Sequence, residues 1–315
     1  MISPQSYPRI EDDSDRYNGF LDDSKLVQHF HKISEEELES IARNAIIQAN
    51  LKSSRTILKV TPGLSEEQTQ DIYSKEGKEL FKYFVRYCGD PALTAYQTHK
   101  KHYSIVAKEQ FRNRTLQKER MNSGWRYQFI AKDAAISSKR FVSVSDIGAS
   151  EADFNVIIKY LDKDGHLSVY TSVKNRTNTM GGQDWPKAIR SIEDVARTDK
   201  NRTGPYICVF GIAMEKGTRL IKIETKTKMP YSFNTEVWMS DFFWPFFTNY
   251  SYEEIIRIVF KTLVEEEGEV DFDWVIPDTL VESFGQMAKE KGLLDDEGNF
   301  NNPELLISIF CGSKK

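Results

Sequence analysis

Asp153 and Lys174 stand on two adjacent β-rich segments, Glu151-Ala-Asp153-Phe-Asn155 and Thr171-Ser172-Val-Lys174-Asn-Arg176. Their types suit phosphodiester hydrolysis. A carboxylate ligates a hard cation such as Mg²⁺, which keeps several waters and takes few protein ligands. Such an ion polarises a phosphate and lowers the pKa of a bound water, while a nearby ammonium orients that water or offsets developing negative charge. A surface hairpin with a cross-strand salt bridge uses the same residues, so spacing alone leaves both readings open.

The Asp162-Lys163-Asp164-Gly165 cluster is a turn that joins the two segments as an antiparallel hairpin. If Asp164-Gly165 is a two-residue turn, Asp153 lies opposite Arg176; if Lys163-Asp164 is the loop, Asp153 faces Lys174. Either register puts Asp153, Ser172 and Lys174 on one sheet face, because side chains alternate with period two. A three-residue loop with a bulge breaks that parity. Around the hairpin, residues 117–137 read as a helix and residues 140–147 as a strand. A helix starts at Trp185, with Asp184 as N-cap and Pro186 in its first turn. The apolar run 205–214 is a buried strand, and 218–223 follows as another. The order is helix, three strands, helix, strand, strand.

That order, with these residues, resembles the core of the PD-(D/E)xK nuclease superfamily, and within it the type II restriction endonucleases. The resemblance covers approximately residues 110–225. It implies an α/β (α+β) fold: a mixed five-stranded sheet flanked by helices, with added N- and C-terminal helical layers. It also implies that Asp153 binds Mg²⁺ and that Lys174 orients or activates water. The family's second acid, two residues before the lysine, is here Ser172. Similar enzymes with Ser-x-Lys recover the carboxylate from the following helix, where Asp184 and Glu193 are the candidates; Glu151 and Asp146 are weaker substitutes. Many of these enzymes also present a glutamate from an upstream helix. Arg120-Met-Asn-Ser-Gly124-Trp-Arg126-Tyr-Gln128 has glutamine there, able to hold a metal-bound water or simply to pack beside Trp125 and Phe129.

The implied function is Mg²⁺-dependent, sequence-specific hydrolysis of double-stranded DNA by a homodimer, whose twofold symmetry matches a palindromic site. A companion DNA methyltransferase acting on the same site goes with it. The alternatives are a non-catalytic DNA-binding protein on a degenerate nuclease fold, and a repair or recombination nuclease of the same superfamily. Asn175, Arg176, Asn178 and Gln183, just beyond Lys174, are candidates for base or phosphate contacts. Arg120 and Arg126 belong to a basic run between His99 and Arg140 that either binds phosphate or forms a solvated helix face.

A chain of 315 residues that is 39% hydrophobic can bury a substantial core, and its formal net charge of −4 is unevenly spread, with acids clustered near Glu265 and Asp295. Cys88, Cys208 and Cys311 are widely separated and read as reduced. No signal peptide or membrane-length apolar run is evident, which points to a cytoplasmic protein. The expected organisation is an N-terminal helical region (1–110), a nuclease core (111–228) and an aromatic-rich, helical C-terminal region (229–315), packed with the core as one domain. Capping boxes at Ser34–Glu37 and Ser65–Gln68 mark helix starts. The aromatic cluster at 230–252 fits stacking on bases, an oligomer interface, or core filling.

Overall fold

The computed structural model describes residues 15–28, 31, 33–52, 64–86, 90–148, 151–177, 185–202, 204–267 and 276–312. Strands β1 (Arg16–Tyr17) and β2 (Phe20–Leu21) form a small hairpin. Its turn residues Asn18 and Gly19 both have positive φ, +51° and +82°, as a primed two-residue turn requires.

Four helices follow: α1 (Glu35–Lys52), α2 (Glu66–Arg86), α3 (Pro91–Thr98) and α4 (Tyr103–Ser137). The capping box at Ser65 forms in full, and at Ser34 the hydroxyl half of the box forms. Ser34 Oγ accepts the Glu37 N–H at 3.1 Å. Ser65 Oγ accepts the Gln68 N–H at 3.2 Å, and Gln68 Oε1 accepts the Ser65 N–H at 3.0 Å. Helix α4 begins at Tyr103 rather than near Gln117. Its added turns bury Val106, Ala107 and Phe111, apolar positions scattered through an otherwise charged stretch.

Next come β3 (Ser143–Asp146), β4 (Phe154–Lys159), β5 (His166–Lys174), α5 (Trp185–Thr198), β6 (Tyr206–Ile212), β7 (Arg219–Leu220) and β8 (Thr235–Trp238). They build a mixed six-stranded sheet in the order β3-β4-β5-β6-β8-β7. The first three strands are antiparallel neighbours; β5, β6 and β8 run parallel, and β7 pairs antiparallel with β8 at the edge. The sheet therefore has one strand more than the five expected. The addition is β8, four residues buried on both faces, which leaves no hydrophobic alternation to read. Helices α6 (Ser240–Thr248), α7 (Tyr252–Glu267), α8 (Asp278–Glu290) and α9 (Pro303–Phe310) complete the chain.

Two compact units emerge, residues 1–51 with 122–269 and residues 52–121 with 270–315, so each is assembled from two separate stretches of sequence. In the first, Phe154, Val156 and Ile158 of β4 and Leu167, Val169 and Val173 of β5 pack on α1, α4, α6 and α7. The opposite sheet face, with Tyr170, Tyr206, Cys208 and Phe210, packs on Ile189, Ile192 and Ala196 of α5. The sheet is thus covered by helices on both sides. Most of the aromatic cluster is core: Trp238, Phe243, Trp244 and Phe247 are fully buried, whereas Tyr231 and Phe233 are exposed.

In the second unit α2 lies directly against α8. A Cβ on Gly77 would meet the Leu280 carbonyl oxygen at 2.2 Å, so only glycine permits that approach. Phe84 there contacts the rings of Phe81, Phe284, Phe300 and Phe310.

Candidate active site at the junction of β4 and β5

Phe154 pairs with Thr171, and the Asp153 N–H also donates to the Thr171 carbonyl, so two residues oppose one in a bulge at the start of β4, with Lys174 three residues further along β5. Asp153 therefore faces neither Arg176 nor Lys174. The reason is the turn, which is longer than two residues: the last β4–β5 pair is Lys159 with His166. Contacts to the N-terminal segment hold it open. The Leu161 N–H donates to the Lys25 carbonyl at 2.8 Å, and Lys163 Nζ lies 2.6 Å from buried Asp15 and 4.2 Å from the Tyr160 ring centroid. The offset of the β4–β5 register from either expected one is an even number of residues, but the extra residue at 153 interrupts the ladder, so Asp153 does not share a face with Ser172 and Lys174 by parity.

Nor does the Asp153 side chain simply stand up from the sheet. Asp153 is the residue immediately before β4. Its N–H donates to the Thr171 carbonyl at 2.8 Å, and its Oδ2 accepts the Val173 N–H at 2.6 Å. The carboxylate therefore takes the place of a backbone carbonyl where the β4 ladder runs out, close to the plane of the sheet. Lys174, half-buried, is the next residue after the N–H that holds it. Ser172 is only 1% exposed and pairs with Phe210 of β6.

Helix α4 crosses this end of the sheet. At one point Asn175, just past β5, donates from Nδ2 to Ser123 Oγ at 3.1 Å, with Gly124 beside it. At another, Lys132 Nζ lies 3.1 Å from Asp146 at the end of β3. Eight helical residues from Gly124 to Lys132 advance about 12 Å, and the two strand spacings from β5 to β3 amount to about 10 Å. Gln128 lies between these two points on α4 and is half-buried. Asp133, one residue beyond Lys132, has its carboxyl raised above the usual range by burial and by Asp146, against the lowering effect of Lys132.

Glu193 sits elsewhere. Its Oε1 accepts Thr235 Oγ1 at 2.7 Å and the Ser232 hydroxyl, over β8. Thr235 pairs with Cys208, which pairs with Tyr170, so this carboxylate lies two strands away from β5 and toward the other end of the sheet from Asp153. Beside it the Cys208 thiol is pushed up, first by burial and then by the Glu193 charge. Asp184, Asn178 and Gln183 lie outside the described residues.

Of the expected DNA contacts, Arg176 and Arg120 are exposed, Asn175 is turned toward Ser123, and Arg126 is buried at 7% exposure. Sequence reading missed Glu215. Its Oε2 accepts the Thr177 N–H at 2.8 Å and the Thr177 hydroxyl at 2.7 Å. Those bonds, and then the nearby Arg176 and Lys222 charges, hold its carboxyl below the usual range. Thr177 and Glu215 are far apart in the chain, and the apolar β6 between them offers no hint of the pairing.

No family model and no curated protein matches this chain. Among the described residues, no three His, Cys, Asp or Glu side chains converge closely enough to hold a metal ion together, and no helix is long and apolar enough to cross a membrane. One carboxylate with an amide oxygen still fits a cation that keeps most of its waters. Asp153 is the carboxylate at this junction, with Lys174 the residue after the N–H that holds it.

Proposed function

We propose that this protein is a Mg²⁺-dependent endonuclease of the PD-(D/E)xK kind, cutting double-stranded DNA in the manner of a type II restriction endonuclease. The observation that carries the reading is that Asp153 is held by the Val173 N–H, one residue before Lys174, at one end of an antiparallel β3-β4-β5 meander crossed by α4. The helix, three strands, helix and parallel strand around them follow the order that the family uses.

Asp153 and Gln128 would hold the ion, which when bound supplies charge to the scissile phosphate and a more acidic water. Val173 donates its N–H to Asp153 Oδ2, which holds the carboxylate in one orientation. The Lys174 ammonium would act at the same junction, where it orients an attacking water and offsets the charge gathering on the phosphoryl oxygens. Exposed Arg176 gives the DNA backbone a cation just beyond β5. A homodimer would place two such sites across a palindrome, and a methyltransferase would protect the host's copies of it.

A second reading, DNA binding without cleavage, is favoured by one observation: Ser172 is buried and Glu193 is committed to Thr235 and Ser232, so neither adds a carboxylate beside Asp153. Incubation of the purified protein with phage DNA, with and without Mg²⁺, decides between them. Discrete fragments that disappear in Asp153→Asn and Lys174→Ala support the nuclease; tight binding without cleavage in any divalent ion supports the second reading. A smear indicates a repair or recombination nuclease.

A further inference from the structure

Residues 222–231 form a β-hairpin that the candidate site does not use. Tyr231 donates its N–H to the Lys222 carbonyl at 2.9 Å, Glu224 donates to Met229 at 2.8 Å, and Lys228 donates to Glu224 at 2.9 Å. Ile223 bridges to Pro230 between them. Lys228 closes the turn in the left-handed region, φ +59°, a conformation that lysine rarely adopts. The hairpin's acid, Glu224, is occupied with bracing the turn: its Oε2 accepts the Thr227 hydroxyl at 2.7 Å. Lys226 and Lys228 stand exposed at the tip, and neither enters an ion pair among the described residues.

The apolar residues are just as unusual. Met229 and Tyr231, on either side of Pro230 in the second arm of the hairpin, are 57% and 37% exposed, and Ile223 in the first arm is 53% exposed. Alternate residues share one side of a strand about 7 Å apart. The base of the hairpin, in contrast, is anchored. Lys222 Nζ lies 4.4 Å from the Trp185 ring centroid, Trp185 packs edge-on against Phe210, and Phe210 pairs with Ser172 of β5. The base of the hairpin is therefore anchored over β6, the strand beside β5, and its tip is cationic and apolar.

We propose that this hairpin is a DNA-gripping finger that enters the major groove, with Lys226 and Lys228 on phosphates and Met229 and Tyr231 against base edges. The major groove, about 12 Å wide, admits a two-stranded β-ribbon, and apolar side chains there meet thymine methyl groups. The unpaired lysines select a polyanion, and a ribbon with a side-chain row on one side fits a groove better than a flat surface. The proposal rests on the nuclease reading and names the element that would hold the substrate of that site.

The test is fluorescence anisotropy with a labelled 30-base-pair DNA duplex in EDTA, over a range of salt concentrations. Lys226→Ala/Lys228→Ala is expected to weaken binding roughly tenfold and to lower the salt slope by about 2, one unit for each phosphate no longer neutralised. Met229→Ala/Tyr231→Ala is expected to weaken binding at an unchanged slope. Methyl green, a major-groove ligand, is expected to compete with the wild type, and netropsin, a minor-groove ligand, is not. All four side chains are exposed, so thermal unfolding of both variants should match the wild type and confirm that they fold. Wild-type affinity and slope in both variants would overturn the finger while leaving Mg²⁺-dependent cleavage to stand by itself. A fall in oligomeric mass on light scattering would make the apolar row a protein interface and overturn it too. Absence of any duplex binding by the wild type would remove the finger and the nuclease together.

Discussion

Replacing Asp153 by two different residues separates its part in the fold from its part in chemistry. Its Oδ2 accepts the Val173 N–H at 2.6 Å, a charge-assisted bond at the end of the β4–β5 ladder. Such a bond contributes about 1.5–3 kcal/mol, a neutral one about 0.5–1.5 kcal/mol, and a buried donor left unpaired costs about 1–3 kcal/mol. Asp153→Asn keeps an acceptor in place and is expected to lose about 1 kcal/mol. Asp153→Ala strands the Val173 N–H and is expected to lose about 2–3 kcal/mol. With roughly 2–4 °C of Tm per kcal/mol for a unit of about 200 residues, the asparagine variant should melt about 2–4 °C below wild type and the alanine variant about 4–12 °C below. Both should lose cleavage by about a hundred- to a thousand-fold, which is about 2.7–4 kcal/mol of barrier. Differential scanning calorimetry and a plasmid-cleavage time course at a temperature well below both transitions supply the two readouts. If Asp153→Asn cleaves like wild type while remaining folded, the carboxylate charge is not used in catalysis. Equal melting of the two variants would instead refute the assigned hydrogen bond.

Lys174→Met should abolish cleavage yet weaken duplex binding less than tenfold, since it removes at most one cation from the phosphate backbone; gel shift beside the cleavage assay checks this. Glu236, fully buried, accepts the Leu21 N–H at 2.6 Å and Trp238 Nε1 at 2.7 Å, so Glu236→Ala should destabilise by about 2–5 kcal/mol in urea unfolding. Burial raises the Glu236 carboxyl, against the lowering effects of these bonds and Arg219. The folded state then keeps a proton that the unfolded state has released. The stability this gives is fully present below the unfolded value and lost as pH rises through the folded one, so the difference between wild type and Glu236→Gln should shrink or reverse over that window in pH-resolved urea titrations. Cys311, exposed, should react with iodoacetamide in the native protein, whereas Cys208, buried and with a raised pKa, should react only after denaturant is added; peptide mass spectrometry distinguishes them.

Local signals in the sequence carried much of this fold. The capping box at Ser65 and the hydroxyl half of the one at Ser34 form because they are closed within four residues, and β4, β5 and β6 emerge from short-range apolar patterns. What escaped reading depends on distant partners. The β4–β5 register was shifted by Asp15 and Lys25, which hold the turn open from the far end of the sequence. Strand β8 is buried on both faces, Val237 in the cluster with α5 and Trp238 in the cluster with α6, so it lacks alternation. At the site, the extra residue at 153 interrupts the parity expected of Asp153 and Lys174, and only their nearness across the hairpin was legible. The turning of the Asp153 carboxylate into the ladder was not, because a residue one place outside a strand is free of its pleat. Glu193 looked available on an amphipathic helix; only β8 reveals that two hydroxyls occupy it.

The bond from Leu21 to Glu236 joins residues 215 positions apart. During synthesis at roughly 5–20 residues per second, the hairpin of β1 and β2 is made about 10–40 s before the carboxylate that anchors it. For that interval its two-residue strands have nothing to dock on, and a two-stranded hairpin alone is marginal in water. The amino-terminal end of the first unit is thus among the last parts of it to be secured, and a chain interrupted before β8 would leave both the hairpin and the parallel edge of β6 open to other partners.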